Sequence, residues 1–318
     1  MNDLRSQVSL RPYTTLRVGG EAEWFATASS SQELADLSIR AQRDGTKATI
    51  LGWGSNVLPS DLGVPGLVIH NRARSIEVRP GRFVVAESGC GLQDLFLKTL
   101  QCGLRGLEFA VGIPGTLGGA LVSNAGAYRS SIEEFIVSLE VATEGKRANV
   151  GPEWMEFSYR DSKLRRPNPA TATILSVTLR LPSGEQKPGY DEAREYQRQR
   201  IGKQPPQASA GSFFKNVQDL ELANRLPGLP APLREKGIVP AGYLIEACGL
   251  KGFRIGGAAV GVRHANFILN MGGATATEIR SLASHVRHVV REQMGAELEE
   301  EVLYIGDWTG FVPTSGLG

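Results

Sequence analysis

Two glycine-rich segments carry the residues best suited to hold a large anionic ligand. Gly112–Tyr128 reads GIPGTLGGALVSNAGAY, with five glycines among small residues, and Gly52-Trp53-Gly54-Ser55-Asn56 is another such stretch. Glycine lets the main chain take positive φ and approach a ligand closely, and successive N–H groups then form a concave anion site. Two such cradles in one chain suggest one large phosphate-bearing ligand. The Gly52–Asn56 loop lacks the Lys-Ser/Thr of a Walker loop, and no helix is expected after Asn56, so it is not a dinucleotide fingerprint either.

Three further segments offer reacting groups. Arg160 in Tyr159-Arg160-Asp161-Ser162 can clamp a carboxylate or phosphate bidentately, with Asp161 neutralising it; a surface ion pair is the competing reading. Ser212, preceded by Gly211 and followed by Phe213, Phe214, Lys215 and Asn216, can deliver a proton from an aromatic-walled turn, or it can simply satisfy that turn. Glu301 follows Glu299 and Glu300, and a period of two puts it on the face of Leu303 and Ile305; an interior face would raise its pKa, whereas a solvated acidic run would not. Lys251 and His264 flank apolar strands, where ligand contact and ordinary surface placement are equally open. His285 and His288 share the polar side of the last helix and have no further ligand for a metal, so they read as exposed.

These groups need a scaffold, and the hydrophobic pattern supplies one. Residues 23–51 read as strand, helix, strand: Ser30 and Glu33 form a capping-box pair, Leu34, Leu37 and Ala41 share a face, and the strand Ala48–Leu51 runs straight into Gly52. That puts the Gly52 loop at the C-terminal end of a strand in a βαβ unit, where α/β sheets bind ligands. Further strands are expected at Gly66–His70, Phe83–Glu87, Ser138–Thr143 and Thr171–Leu181, and a helix at Leu92–Gln101. Between Pro182 and Ala210 a polar helix, Asp191–Arg200, is flanked by Gly and Pro and reads as a connection to a separate domain, its mixed charges forming a solvated face. That last domain carries a helix opened by the Thr275/Glu278 capping box and stopped by Gly295, then a strand around Glu301–Ile305. Residues 307–318 have no pattern and read as a tail. The expected division is 1–70 and 71–182 as two lobes, 183–202 as the connection and 203–306 as the last domain.

Composition removes several function classes. The chain of 318 residues carries a net charge of +2 and no long Lys/Arg block, so nucleic acid is not an expected partner. Cys90, Cys102 and Cys248 are odd in number and lack CxxC spacing, which argues for buried thiols rather than a disulfide framework or a zinc site. Met1–Thr15 has no apolar h-region, so a cytoplasmic protein is the default. No charge lies between Glu108 and Arg129, and Gly115 and Gly119 have the spacing of packed membrane helices. Pro114, Thr116, Ser123 and Asn124 nevertheless make that stretch too polar to span a bilayer, and no membrane insertion is expected.

Taken together, the chain resembles the UDP-N-acetylenolpyruvoylglucosamine reductase (MurB) family of peptidoglycan precursor synthesis. The resemblance runs from Tyr13 to Gly306 and rests on the Thr14–Gly20 stretch TTLRVGG, Leu51–Leu58, Gly112–Tyr128, Tyr159–Ser162, Ser209–Asn216, Ala241–Gly252 and His264–Asn270. It implies an α+β fold in which a two-lobed FAD-binding domain of vanillyl-alcohol-oxidase (PCMH) type is joined to a C-terminal α+β substrate-binding domain. It implies non-covalent FAD, NADPH as co-substrate, a nucleotide-sugar substrate and no obligate protein partner. By the same resemblance Gly52, Trp53, Gly54, Ser55 and Asn56, with Gly112, Pro114, Gly115, Thr116, Gly118 and Gly119, would cradle the cofactor's pyrophosphate, and Asn124, Ala125 and Gly126 would lie near its flavin. Arg160 would bind the substrate carboxylate, Glu301 would assist polarisation and Ser212 would protonate the substrate; Tyr159, Lys203, Asn216, Lys251 and His264 would contact the nucleotide sugar.

The chain departs from the family pattern in places. Leu303 stands where the family usually carries Arg, Val217 where it carries Pro, and Leu164–Pro169 is unusually basic and Pro-rich. No insertion bearing a lid tyrosine is evident, which implies the shorter, type II form. An oxygen-using FAD oxidase and a non-catalytic nucleotide-sugar module are the other readings. The residues leave open which of Glu299, Glu300 and Glu301 faces the flavin.

Overall fold

A computed structural model describes residues 4–166 and 171–313. The chain divides into two compact units, one made of residues 1–8, 22–54 and 64–202, the other of 9–21, 55–63 and 203–318. Each is built by a different packing problem.

In the first unit a sheet in the order Arg5–Ser9, Glu21–Ala28, Val64–Asn71, Ala48–Leu51 holds the expected strand-helix-strand. Val64–Asn71 pairs in parallel with both Glu21–Ala28 and Ala48–Leu51, and the three strands bury apolar side chains, Phe25 and Ala26, Val68 and Ile69, and Leu51. The connecting helix, Ser31–Arg43, begins where Ser30 accepts the Glu33 N–H, a cap worth about 1 kcal/mol. Glu33 answers the Ser29 N–H and not that of Ser30, so the capping box is offset by one residue. Leu34, Ala35 and Ala41 bury one face of this helix against Ala26, Ile69, Ala142 and Leu175.

Ala142 and Leu175 belong to the second sheet of this unit, ordered Lys146–Val150, Ile136–Thr143, Ala172–Arg180, Phe83–Glu87, Ile76–Arg79 and antiparallel throughout. The helix Leu92–Gln101 packs Leu95, Phe96 and Leu100 into its core, as the periodicity predicts. The helix Gln186–Ile201 is longer than expected, because Pro188 falls in its first turn, where no intrahelical N–H is lost. It buries Gly189 and Ala193 and forms part of the first unit.

The second unit centres on an antiparallel sheet in the order Ala208–Ser212, Phe267–Asn270, Ala258–Val260, Arg254–Ile255. The helix Ala276–Met294 lays Ile279, Leu282, Val286 and Val290 on the core, with the full Thr275/Glu278 capping box at its start and Gly295, φ +65°, at its end. A distant residue adds to that cap: Asp61 accepts the N–H groups of Ala276 and Thr277 at 2.9 and 2.7 Å. Residues 55–63 enter this unit as the strand Val57–Pro59, which pairs in parallel with Leu303–Ile305. The Thr14–Gly20 stretch packs Leu16 and Val18 into the same core, and Gly19, φ +110°, sits where a Cβ would meet Pro59 at 2.7 Å.

Three expectations are corrected here. Cys90 is buried, with its thiol pushed up to about 12 by desolvation, but Cys102 is exposed and Cys248 only partly covered, because both sit at helix ends. His285 is not a free surface residue; its ring stacks on Phe253 at 4.4 Å. Residues 307–311 fold back, with Trp308 Nε1 donating to Ile305 O and the Arg280 guanidinium 4.7, 4.5 and 4.1 Å from the rings of Tyr304, Trp308 and Phe311. Residues 314–318 of the expected tail, and Pro167 and Pro169 of the Pro-rich stretch, lie outside the described residues.

Candidate active site

In the first unit the two glycine loops touch. A Cβ on Gly52 would fall 2.5 Å from Thr116 Oγ1, so that glycine is required by the other loop. Trp53 lies against Gly91, and Gly54 has φ +61°. After Gly112, φ +73°, Pro114 and Gly115, Thr116 opens the short helix Leu117–Val122. Its first N–H groups are already used: Leu117 donates to Cys90 O, Gly118 to Ser88 O and Gly119 to Thr116 Oγ1. The N–H groups of Gly115 and Thr116 meet no protein acceptor among the described residues, which moves the anion-binding part of the loop ahead of the helix.

The helix runs out into a strained segment. Asn124, φ +42°, is buried; its Nδ2 donates to Ser158 O at 2.9 Å, while its Oδ1 is buried with no donor among the described residues. Ala125 N–H returns to Ala120 O, and Gly126 pairs with Ser131. A ligand that brings both an N–H donor and anionic oxygens would complete this set, which fits a flavin dinucleotide.

Arg160 stands at the second corner of a two-residue turn closed by Ser158 and Asp161, with φ +53°. Its guanidinium donates to Asn124 O at 3.3 Å and to Gly126 O, so the turn and the segment after the short helix hold each other. Ser162, fully buried, donates to Val122 O at 2.7 Å and fixes the base of that turn. Asp161, the neighbour that could neutralise Arg160, pairs with Arg166 at 3.1 Å. Tyr159 is 47% exposed, with the Arg160 guanidinium 5.6 Å from its ring.

In the second unit the backbone brings Ser212 and Glu301 to neighbouring rungs. Phe213–Lys215 runs beside Glu299–Glu301, with Glu301 N–H on Phe213 O at 2.7 Å and Lys215 N–H on Glu299 O at 2.9 Å. Asn266 secures the other side: its Oδ1 accepts Phe214 N–H and its Nδ2 donates to Phe214 O, at 2.9 and 2.8 Å. Asn56 Nδ2 donates to Glu301 O at 3.0 Å, and Leu303 N–H to Asn56 O. Glu299 pairs with the buried Lys215 at 2.5 Å and Glu300 with Arg287 at 3.1 Å, and the backbone of Glu301 is held from both sides. The strand begins only at Leu303, and Val302 is the deeply buried residue, so the interior face is not the one that Glu301 shares with Leu303 and Ile305.

Around them, Asn216 Oδ1 accepts the first N–H of the helix Ala241–Ala247, and Lys251 pairs with Glu246 at 2.5 Å. Burial first, then the charges of Lys203 and Lys251, lowers the His264 pKa, and its Nδ1 accepts Asn266 N–H at 3.3 Å. Arg160 belongs to the first unit, Ser212 and Glu301 to the second.

Two family models match. Residues 22–147 match an FAD binding domain, and residues 204–305 match the C-terminal domain of UDP-N-acetylenolpyruvoylglucosamine reductase. The UDP-N-acetylenolpyruvoylglucosamine reductase of Synechococcus sp. (strain JA-3-3Ab) is 37% identical over 308 residues, covering 96% of this chain and 92% of that protein. The chain belongs to the UDP-N-acetylenolpyruvoylglucosamine reductase family. Another such reductase, from Nostoc punctiforme, is 38% identical over 319 residues and 96% of this chain. The crystal structure of the Thermus caldophilus reductase superposes with a TM-score of 0.76 at 31% identity, covering 96% of this chain and all of that one. The expected α+β architecture of an FAD-binding domain and a reductase C-terminal domain is therefore that of this reductase family.

The sequence does not announce the placement of two residues beside these groups. Asn266 lies within His264–Asn270, but a single Asn does not signal that it pairs with a backbone 52 residues away. Arg200 was assigned to a solvated helix face. Its signal was legible: Gly189, Ala193, Tyr196 and Arg200 fall on one stripe of the helix, and Gly189 and Ala193 are buried. Among the described residues no group of His, Cys, Asp and Glu could hold a metal, and no helix is long and apolar enough to cross a membrane.

Proposed function

We propose that this protein catalyses the FAD-dependent reduction of UDP-N-acetylglucosamine enolpyruvate to UDP-N-acetylmuramate with NADPH, a step of peptidoglycan precursor synthesis. The observation that carries this reading is the match of nearly the whole chain, through both domains, to reductases of that name. The protein would act in the cytoplasm, without nucleic acid and without an obligate protein partner.

The Gly52–Asn56 loop, Gly112–Gly119 and Asn124–Gly126 would hold FAD, with the N–H groups of Gly115 and Thr116 toward phosphate and Asn124 Oδ1 toward an N–H of the ligand; this is supported by their lack of protein partners among the described residues. When bound, FAD would take hydride from NADPH and pass it to C3 of the enolpyruvyl ether. Arg160 would bind the substrate carboxylate and stabilise the negative charge that builds there, since its guanidinium is fixed before the substrate arrives. Glu301 would support that polarisation. Ser212 Oγ would give its proton to C2, leaving the lactyl ether, and recover one from solvent. Tyr159, Lys203, Asn216, Lys251 and His264 would contact the nucleotide sugar; the mutual electrostatics of Lys203, Lys251 and His264 support a shared anionic ligand.

The test is anaerobic. Stoichiometric NADPH should bleach the flavin of the purified holoprotein, and UDP-N-acetylglucosamine enolpyruvate should then restore the oxidised spectrum. Bleaching without recovery would reject this substrate, and a protein that takes up no FAD would reject the reading of both glycine loops.

A further inference from the structure

Arg200 closes the last turn of the helix Gln186–Ile201, yet it is not spent on the surface. Its Nη1 lies 3.4 Å from Gly112 O, and its guanidinium is 5.9 Å from the centre of the Tyr128 ring. Tyr128 is in turn stacked flat on Tyr196, one helical turn before Arg200, at 3.6 Å and 6°, and donates its hydroxyl to Tyr196 O. Gly112 is glycine for this contact: a Cβ there would fall 2.9 Å from Arg200 Cδ. The backbone around it is strained at four non-glycine residues, Asn124, Tyr128, Arg129 and Arg160, all with φ between +42° and +69°. Such conformations cost of order 1–3 kcal/mol each and gather at ligand sites.

The charge balance is the second observation. On this helix Lys187 pairs with Asp191 and Glu192 with Arg105 of another segment, while Arg194 and Arg198, which also have no carboxylate partner among the described residues, are exposed and Arg200 is partly buried. No carboxylate lies within 4.0 Å of Arg200 among the described residues, and its Nε is buried with no acceptor. Burial lowers the Arg200 pKa, the Tyr128 hydroxyl beside it works the other way, and the like charge of Arg160 lowers it further. Both guanidiniums hold to the Gly112–Tyr128 segment, Arg160 at Asn124 O and Gly126 O and Arg200 at Gly112 O. A half-buried guanidinium with an unused Nε–H is completed by an acceptor that brings negative charge.

We propose that Arg200 is a second anion-binding guanidinium of the active site, seating with Arg160 the carboxylate of the enolpyruvyl group. The planar fork of each guanidinium matches a two-oxygen anion, and a pair of them can take one carboxylate oxygen each. Stacked tyrosines and the Gly112 carbonyl hold the second fork in place, so little side-chain freedom is lost on binding. This inference rests on the reductase reading.

The experiment uses holoprotein with Arg200→Gln and Arg200→Lys. Oxidised protein is titrated with two ligands, UDP-N-acetylglucosamine enolpyruvate and UDP-N-acetylglucosamine, which lacks the carboxylate, with the flavin spectrum and calorimetry as readouts. FAD content and flavin circular dichroism report on whether the Gly112 loop is intact. Arg200→Gln is expected to weaken the enolpyruvyl sugar about 10-fold or more, to leave UDP-N-acetylglucosamine within about twofold, and Arg200→Lys to fall between. Equal losses for both ligands, or no loss for either, would overturn the proposal. Slower bleaching by NADPH with unchanged sugar binding would also overturn it and give the anion as a phosphate of the nicotinamide nucleotide. Loss of FAD from both variants would reduce Arg200 to a prop for Gly112. If only Arg200→Gln loses FAD, a selective loss of the enolpyruvyl sugar in Arg200→Lys still carries the proposal and equal binding overturns it. A wild-type protein that binds no enolpyruvyl sugar sinks the reductase reading itself, whereas tight wild-type binding with silent variants sinks only this inference.

Discussion

The turn that carries Arg160 and the rungs that carry Ser212 and Glu301 prepare polar groups in opposite ways. Around Arg160 the backbone is irregular and strained, four non-glycine residues take positive φ, and Arg200 has no carboxylate partner among the described residues. Beyond the irregularity at Gly211, φ +78°, the chain from Ser212 runs paired with the segment of Glu301, each rung is hydrogen-bonded, and the nearby charges are matched: Lys215 with Glu299, Arg287 with Glu300. On the proposed reading the first arrangement would offer positive potential to an incoming anion, and the second would hold a proton donor in position.

This contrast predicts different consequences of mutation in the two regions. Arg160→Gln should slow reoxidation of the reduced flavin by the enolpyruvyl sugar by about 10² or more, because the transition-state charge loses its fixed partner. NADPH bleaching, followed in the same stopped-flow cell, is the control, and equal slowing of both halves would mean that the glycine loops had moved instead. Ser212→Ala should cost about 10² in the same step. Its signature differs, since binding of the enolpyruvyl sugar to oxidised protein should hold, and unchanged reoxidation would remove Ser212 from the proton path.

Asn266→Ala tests the hydrogen-bonded side through stability. Both the N–H and the C=O of Phe214 would lose their partner in a buried place, a cost of about 2–4 kcal/mol. Chemical denaturation should show it as a lower midpoint with an unchanged slope. A change below about 0.5 kcal/mol would mean that these two groups find other partners, and the comparison drawn above would lose its second half.

The same contrast explains what could be read from the sequence. Periodic elements were legible, because Leu34, Ala41, Ile279 and Val286 report their inward faces through spacing alone. Arg160, Ser212 and Glu301 were legible as candidates, since residue type and a flanking turn or strand mark them. The pairing of Asp161 with Arg166, the second cap that Asp61 gives to the Ala276 helix, and the fold-back of Trp308 onto Arg280 were not. The last two join distant segments and the first spans five residues of irregular chain, so no local period records any of them. Asn56 shows the limit: the glycines beside it signalled a ligand loop, while its amide spans 245 residues to hold Glu301 O. Alternation left the face of Glu301 open, and the strand begins only at Leu303, two residues beyond it, so the period could not decide that face.

The smallest expected effect concerns pH and again separates the two sides. His264 is half-buried, and burial ahead of the charges of Lys203 and Lys251 lowers its pKa. The folded chain therefore takes up its proton later than the unfolded chain does as pH falls. His264 contributes stability that is fully present above the unfolded value of about 6.5 and is lost as pH drops through the lower folded value. His70 and His285, also lowered chiefly by burial, act in the same direction. The midpoint of chemical denaturation should thus decline as buffer pH is taken from about 7 toward 5, and His264→Gln should flatten part of that decline. Saturating the protein with a nucleoside diphosphate should do the reverse for His264, since an anion near Lys203 and Lys251 favours its charged form. A His264→Gln profile parallel to that of the wild type, with and without the nucleotide, would show that the ring's Nδ1 contact to Asn266 matters for geometry alone.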